Sequence, residues 1–266
     1  MIESLLFCAV RVLTFDGAQA LTAGSGFYFR REGRLFLVTS RHVFFDPRAG
    51  HLPTTVQIMV HLDARDLTRT ANIELPLYAA GQGLWTQAED TGGAVDVAAL
   101  EIAPDRLPAS AVIRALEPAN LASDIEGVHA GAALVLVGFP LGFYDTVHQL
   151  PVVRQATVAS AFGVRFQGQG YFLTDARVHR GASGAPVLQR RSDGSDMPWT
   201  LLGIHSSRID MGDRDLVLDE ALGLNCAWYA DILMTLTTMK PSPAAPAPEA
   251  GPAQPGGNAV ALPAGR

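Results

Sequence analysis

Three short stretches of this chain carry residue types that together can perform covalent chemistry. In Leu37-Val-Thr-Ser-Arg-His42-Val-Phe an apolar run ends in a polar turn that presents one histidine. In Val95-Asp96-Val-Ala-Ala-Leu-Glu-Ile an aspartate stands at the head of an apolar run, where a buried carboxylate needs a donor. In Arg180-Gly181-Ala-Ser183-Gly-Ala-Pro186 a serine is held between glycines, just before another apolar run. A serine hydroxyl is a poor nucleophile, so a neutral imidazole must accept its proton. A carboxylate must then fix the imidazole tautomer and stabilise the imidazolium. Backbone N–H groups must point at the oxyanion that develops. Glycines such as Gly181 and Gly184 permit the tight backbone that aims those groups, with the N–H groups of Gly181 and Ser183 as the donors.

The order along the chain is His, Asp, Ser. That order marks the chymotrypsin arrangement and differs from those of subtilisin and the α/β-hydrolases. His42 and Asp96 fall in the first half and Ser183 in the second, so the site is expected in a cleft between two domains.

The elements that must position these residues read as short strands separated by turn residues. Strands are expected at 5–14, 26–31, 35–39, 56–62, 73–77, 95–102 and 112–116. A second set is expected at 133–138, 151–161, 171–175, 185–190, 200–207 and 215–226. The run Thr55-Val-Gln-Ile-Met-Val-His-Leu alternates polar and apolar with period two, as a half-buried strand should. Only 228–239 reads as helical, with Ile232, Leu233 and Leu236 on one face. Many short strands at even spacing imply an all-β sandwich or barrel. The stretch 117–128, with Pro118, Asn120 and Gly127, could link two six-strand halves. Segment 241–266 is dominated by Pro, Ala and Gly, and reads as a disordered tail.

These motifs resemble those of the trypsin/chymotrypsin-like serine proteases, in the bacterial branch that includes the high-temperature-requirement proteases and glutamyl endopeptidases. The matching stretches are Gly24-Ser-Gly-Phe, 37–43, 96–100, Val137-Gly-Phe-Pro-Leu-Gly142, Thr174-Asp-Ala, 181–186 and Leu202-Gly-Ile-His-Ser-Ser207. They span roughly residues 5 to 239. The resemblance implies an all-β fold of two six-stranded antiparallel β-barrels with a short C-terminal helix. The implied domains are 1–118, carrying His and Asp, and 119–240, carrying Ser, followed by the tail. It implies His42 as general base, Asp96 as its orienting carboxylate, Ser183 as nucleophile, and Gly181 and Ser183 as oxyanion donors. Ser206 falls where the family has a serine that contacts the catalytic aspartate. Residues Ser206, Ser207 and Arg208 would offer main-chain groups to an extended substrate, bound as an added strand.

The resemblance also places Arg177, six residues before the serine, at the base of the pocket for the side chain preceding the cleaved bond. His205 occupies the position where glutamyl endopeptidases place a histidine that reads a carboxylate, and Arg180 and Arg208 lie near the rim. Charge-assisted donors of this kind favour Glu, Asp or Gln at that substrate position. Position 182 is Ala, where digestive members have an aspartate that pairs with a newly cut N-terminus, so activation by that ion pair is not expected. Arg41 and Ala185 also differ from the animal pattern.

Composition bounds the remaining readings. The chain has 266 residues, 48% of them apolar, and a mean hydropathy of +0.18, which suffices for a substantial core and excludes global disorder. The net charge of −6 excludes a basic nucleic-acid-binding face spread over the whole molecule. Two cysteines, Cys8 and Cys226, cannot build a disulfide-dense scaffold and read as small core residues. The chemistry needs no metal and no cofactor. No apolar run approaches the ~20 residues of a spanning helix. The start, Met1-Ile-Glu3, lacks a basic leader, which points to the cytoplasm. A cytoplasmic protease acting on polypeptide substrates must be restrained, so a regulatory partner or gating assembly is expected, engaged through the tail. The alternative is a catalytically latent or degenerate member acting as a protein-binding module. A third reading is an esterase-like hydrolase using the same triad.

Overall fold

Side chains alternate across a strand, and here that alternation sorts the apolar residues into separate cores. In the adjoining strands Gln19–Arg31 and Arg34–Thr39, the residues Phe27, Phe29, Phe36 and Val38 pack into one cluster, while Tyr28 and Leu37 pack into another. The computed structural model describes residues 2–123, 127–208 and 223–240. Those residues form two large curled antiparallel sheets, two small two-stranded ribbons and few helices.

The first sheet runs in the order Thr70–Pro76, Thr55–His61, Ala9–Asp16, Gln19–Arg31, Arg34–Thr39, Ala98–Ile102 and Trp85–Thr86. It therefore has seven strands rather than the expected six. The extra one is a two-residue strand in which Thr86 pairs with Ala99 and Trp85 with Leu100, too short to leave a periodic signal. The second sheet has six strands, ordered Val152–Thr157, Ala133–Gly138, Pro186–Arg190, Trp199–Arg208, Asn225–Tyr229 and Tyr171–Thr174. A bridge between Val158 and Thr174 draws its two edges together.

Each sheet encloses an apolar cluster. The first holds Val12, Leu37, Phe44, Ile58 and Trp85, and the second Leu136, Phe172, Val187 and Leu202. A third cluster joins the two halves: Phe27, Phe29, Phe36 and Val97 meet Leu188, Ile204, Trp228, Leu233 and Leu236. Phe27 and Phe29 are wholly buried, and each such side chain stabilises the docked arrangement by about 1.5–3 kcal/mol.

Several sequence expectations shift. Residues 4–7 form a 3-10 turn before the first strand. The 112–116 run makes only isolated bridges, Val112 to His61 and Leu116 to Phe29. The C-terminal helix is short, Ile232–Leu236. Trp228 belongs to the preceding strand, where it pairs with Tyr171 on one side and Ile204 on the other. The expected strand at 215–226 lies largely outside the described residues, as does the 241–266 tail. No helix among the described residues is long and apolar enough to cross a membrane.

Candidate active site

His42 sits in a single helical turn, Arg41–Phe44, directly after the strand Arg34–Thr39. Val43 and Phe44 on that turn are buried in the first core, which leaves the His42 ring facing the other way and partly exposed. The His51 ring steadies the turn by donating from Nε2 to the Val43 carbonyl at 2.9 Å. Asp96 sits in a bend between Gly93–Ala94 and Ala98–Ile102. Its neighbours Val95 and Val97 are buried between the sheets, so alternation turns the carboxylate toward His42.

The contact is made twice. The His42 N–H donates to Asp96 Oδ1 at 2.9 Å, and His42 Nδ1 lies 2.7 Å from Oδ2. A carboxylate only accepts, so Nδ1 carries the proton and the neutral ring keeps Nε2 as an acceptor. The buried Ser206 hydroxyl also donates to Oδ2. Burial pulls His42 down, but the bond to Asp96 and that carboxylate's charge outweigh it and hold the ring above its ordinary 6.5. Burial pushes Asp96 up, yet its bonds to His42 and Ser206 and the charge of His42 hold it below the usual carboxylate value.

Ser206 also links this pair to the serine. Its main-chain carbonyl accepts the Ser183 hydroxyl at 3.0 Å. His42, Asp96, Ser206 and Ser183 thus form one connected group drawn from both sheets. In this state the Ser183 hydroxyl rests on Ser206 and makes no hydrogen bond to His42. Around Ser183 the backbone demands glycine at two places. Gly181 has φ +88, and a Cβ there would come within 2.8 Å of the Phe139 carbonyl oxygen. Gly184 has φ +86, and a Cβ would collide with the Ser25 carbonyl and the Thr39 hydroxyl. Among the described residues, neither the Gly181 N–H nor the Ser183 N–H finds an acceptor.

His205 lies one residue before Ser206 and is 3% exposed. Its Nδ1 has no partner among the described residues. Burial, together with the charge of His42 and against that of Asp96, pushes the imidazole down to about 4. Of the arginines expected near it, Arg177 stands elsewhere. Arg177 is exposed and lines a groove on the outside of the second sheet with Arg154, Asp175 and Arg190, a groove His205 does not line. Arg180 is also exposed. Ser207 and Arg208 continue the strand Trp199–Arg208 beside Asn225, and their side chains lie outside what is described. Sequence reasoning passed over Ser25. Its hydroxyl donates to the Gly181 carbonyl at 2.7 Å and accepts from the Phe139 N–H at 2.9 Å. The available signal was Gly24-Ser-Gly, which reads as turn or bulge chemistry.

A double-sheet fold with this site defines a class, the serine proteases of chymotrypsin type. A trypsin-like peptidase domain model matches residues 24–195, and the chain belongs to that family. No curated protein matches it in sequence. Among solved structures it is similar to the serine endoprotease from Yersinia pestis, at 16% identity and a TM-score of 0.50. That alignment covers 88% of this chain and 62% of the Yersinia chain, so this chain spans under two thirds of that protein's length. It is also similar to Rv3671c from M. tuberculosis, solved as an inactive serine-to-alanine mutant, at 17% identity with a TM-score of 0.48 and coverage of 87% and 85%.

Proposed function

We propose that the chain is a serine endopeptidase working through an acyl-enzyme. The observation that carries this reading is the connected group His42–Asp96–Ser206–Ser183, beside two N–H groups that find no acceptor among the described residues. A polypeptide substrate lies extended along residues 206–208. The Ser183 hydroxyl turns from the Ser206 carbonyl to Nε2 of His42, a realignment common between free and substrate-bound states. Ser183 Oγ attacks the peptide carbonyl carbon while Nε2 takes its proton. The oxyanion accepts from the N–H groups of Gly181 and Ser183. The imidazolium, stabilised by Asp96, returns the proton to the leaving amine as the C–N bond breaks. Water then attacks the acyl-enzyme with His42 again as base, releasing the acid and restoring Ser183.

The preferred residue before the cleaved bond is Glu, Asp or Gln. With Arg177 on the outer face, this preference rests on His205, whose buried Nδ1 finds no partner among the described residues and would be satisfied by a carboxylate or amide. The same scheme has the enzyme cytoplasmic and gated by a regulatory protein. A fluorophosphonate probe should label Ser183 in the intact chain. Ser183→Ala should abolish labelling and lower turnover on the order of 10⁶-fold. Normal cleavage by that variant refutes the assignment. A folded protein that does not label supports the latent binding module instead. A peptide panel in which Arg- or Phe-preceded bonds are cut best removes the acidic preference alone.

A further inference from the structure

We propose that Ser25 is a positioning residue that steadies the peptide plane between the two oxyanion donors and so keeps them aligned, an inference that rests on the endopeptidase reading above. Two stretches that look like turn chemistry in the sequence, 24–26 and 138–140, converge on Gly181. Ser25 is fully buried in the long strand Gln19–Arg31 of the first sheet. Every polar group it owns is engaged. The hydroxyl donates to the Gly181 carbonyl and accepts from the Phe139 N–H. The Ser25 N–H donates to the Ser183 carbonyl at 2.9 Å, and its carbonyl accepts the Thr39 hydroxyl at 2.7 Å.

The consequence follows from peptide planarity. In a trans peptide the carbonyl and the next N–H point in opposite directions, and the described chain has no cis bonds. Fixing a carbonyl therefore aims the N–H that follows it. The Arg180 carbonyl accepts from the Leu141 N–H at 2.5 Å, which turns the Gly181 N–H away from that contact. The Ala182 carbonyl accepts from the Ala185 N–H at 2.9 Å, which turns the Ser183 N–H away in the same manner. The plane between these two is the Gly181–Ala182 peptide. It is held by the Ser25 hydroxyl at its oxygen and by the His179 carbonyl, 3.2 Å from the Ala182 nitrogen. Beyond Ser183, the next plane is held by the Ser25 N–H and by the His205 carbonyl, which accepts from the Gly184 N–H at 2.7 Å.

Ser25 thus acts on the middle plane directly. Through Phe139 it also steadies the segment whose Leu141 N–H fixes the first donor. Without its hydroxyl the Gly181–Ala182 plane loses its strut from the first sheet. Gly181, free of a Cβ, offers little resistance to rotation. Misaimed donors weaken binding of the tetrahedral state and leave ground-state binding unchanged.

The test compares the wild-type full chain with Ser25→Ala, Ser25→Cys and Thr39→Val. The readouts are kcat and KM on a peptide anilide, affinity for a peptidyl boronic acid as tetrahedral mimic, and melting temperature. Ser25→Ala should lower kcat about 10- to 100-fold at near-constant KM and weaken the boronate by a similar factor. Ser25→Cys, with a weak donor of similar size, should fall between, and it carries the test if the alanine variant does not fold. Thr39→Val removes only the bond to the Ser25 carbonyl and should keep kcat while lowering the melting temperature. The proposal is overturned if the wild type labels and turns over while the Ser25 variants keep kcat. It is equally overturned if their loss falls on KM, or if Thr39→Val loses kcat in proportion to its melting temperature. A wild type that fails to label at Ser183 removes the endopeptidase reading itself, a distinct result.

Discussion

On the endopeptidase reading, deprotonation of Ser183 turns on one ring nitrogen. Asp96 fixes the proton on Nδ1 of His42 and, with its charge, holds the imidazole above 6.5 against the opposing effect of burial. A base must be neutral to act, so kcat/KM should rise with pH along a limb centred above 6.5. Asp96→Asn leaves burial unopposed. The limb should then move below that of the wild type, and kcat should drop about 10⁴-fold through loss of the productive tautomer. A pH–rate profile in which the wild-type limb sits under 6.5 contradicts this account. The grouping of these three residues was legible in the sequence because their chemistry leaves few alternatives in type and order. The placement of Arg177 was not. Counting back from Ser183 gives a position but not the face of the chain. The pattern of buried Ala176, exposed Arg177 and buried Val178 sends the guanidinium outward. Ser25 escaped for the opposite reason: its role depends on two backbone groups more than a hundred residues away, to which a local pattern is blind.

At the scale of elements, the strands bearing period-two alternation were readable, and the last helix was not readable in full. The apolar residues 227–229 suit either geometry, and pairing with Tyr171–Thr174 and Trp199–Arg208 decides for strand. What remains, Ile232–Leu236, is too short to stand alone. Besides burying Leu233 and Leu236, it is secured by the first sheet. The Arg31 guanidinium donates to the Met234 carbonyl at 2.5 Å, Arg34 to the Thr237 carbonyl at 3.1 Å, and the Thr86 hydroxyl to the Leu236 carbonyl at 3.0 Å. These are the carbonyls that a helix end leaves without internal partners. Arg31 also reaches the Thr237 hydroxyl, and its side chain is 16% exposed. Arg31→Ala should lower stability by about 1–3 kcal/mol, measured by urea unfolding, with labelling of Ser183 unchanged in the folded protein. An unchanged unfolding midpoint shows that Arg34 and Thr86 suffice.

Across the whole molecule, two histidines of one site set opposing pH dependences. His205 titrates at about 4 in the fold and near 6.5 when unfolded. Between those values the unfolded chain binds a proton that the folded chain refuses. Stability therefore falls as pH drops from about 6.5 to 4, by roughly 3 kcal/mol. His42, raised above 6.5, works the other way: its contribution is complete below that value and is lost as pH climbs through its folded pKa. Asp96, held below its ordinary 3.8, loses its contribution only at still lower pH. His205→Leu should flatten the stability curve between pH 4 and 6.5 relative to wild type in denaturant melts. Parallel curves exclude His205 as the source. The chain's overall charge gave no hint of this balance, which depends on burial.

The cluster joining the sheets carries one more consequence. On the endopeptidase reading, base and orienting carboxylate come from the first half of the chain, nucleophile and oxyanion donors from the second. A ribosome that has delivered residues only as far as Ile102 has made a general base with nothing to activate. A molecule whose halves have come apart has a serine with no base. Incomplete copies therefore cannot digest one another, and any cutting awaits a molecule that has finished folding.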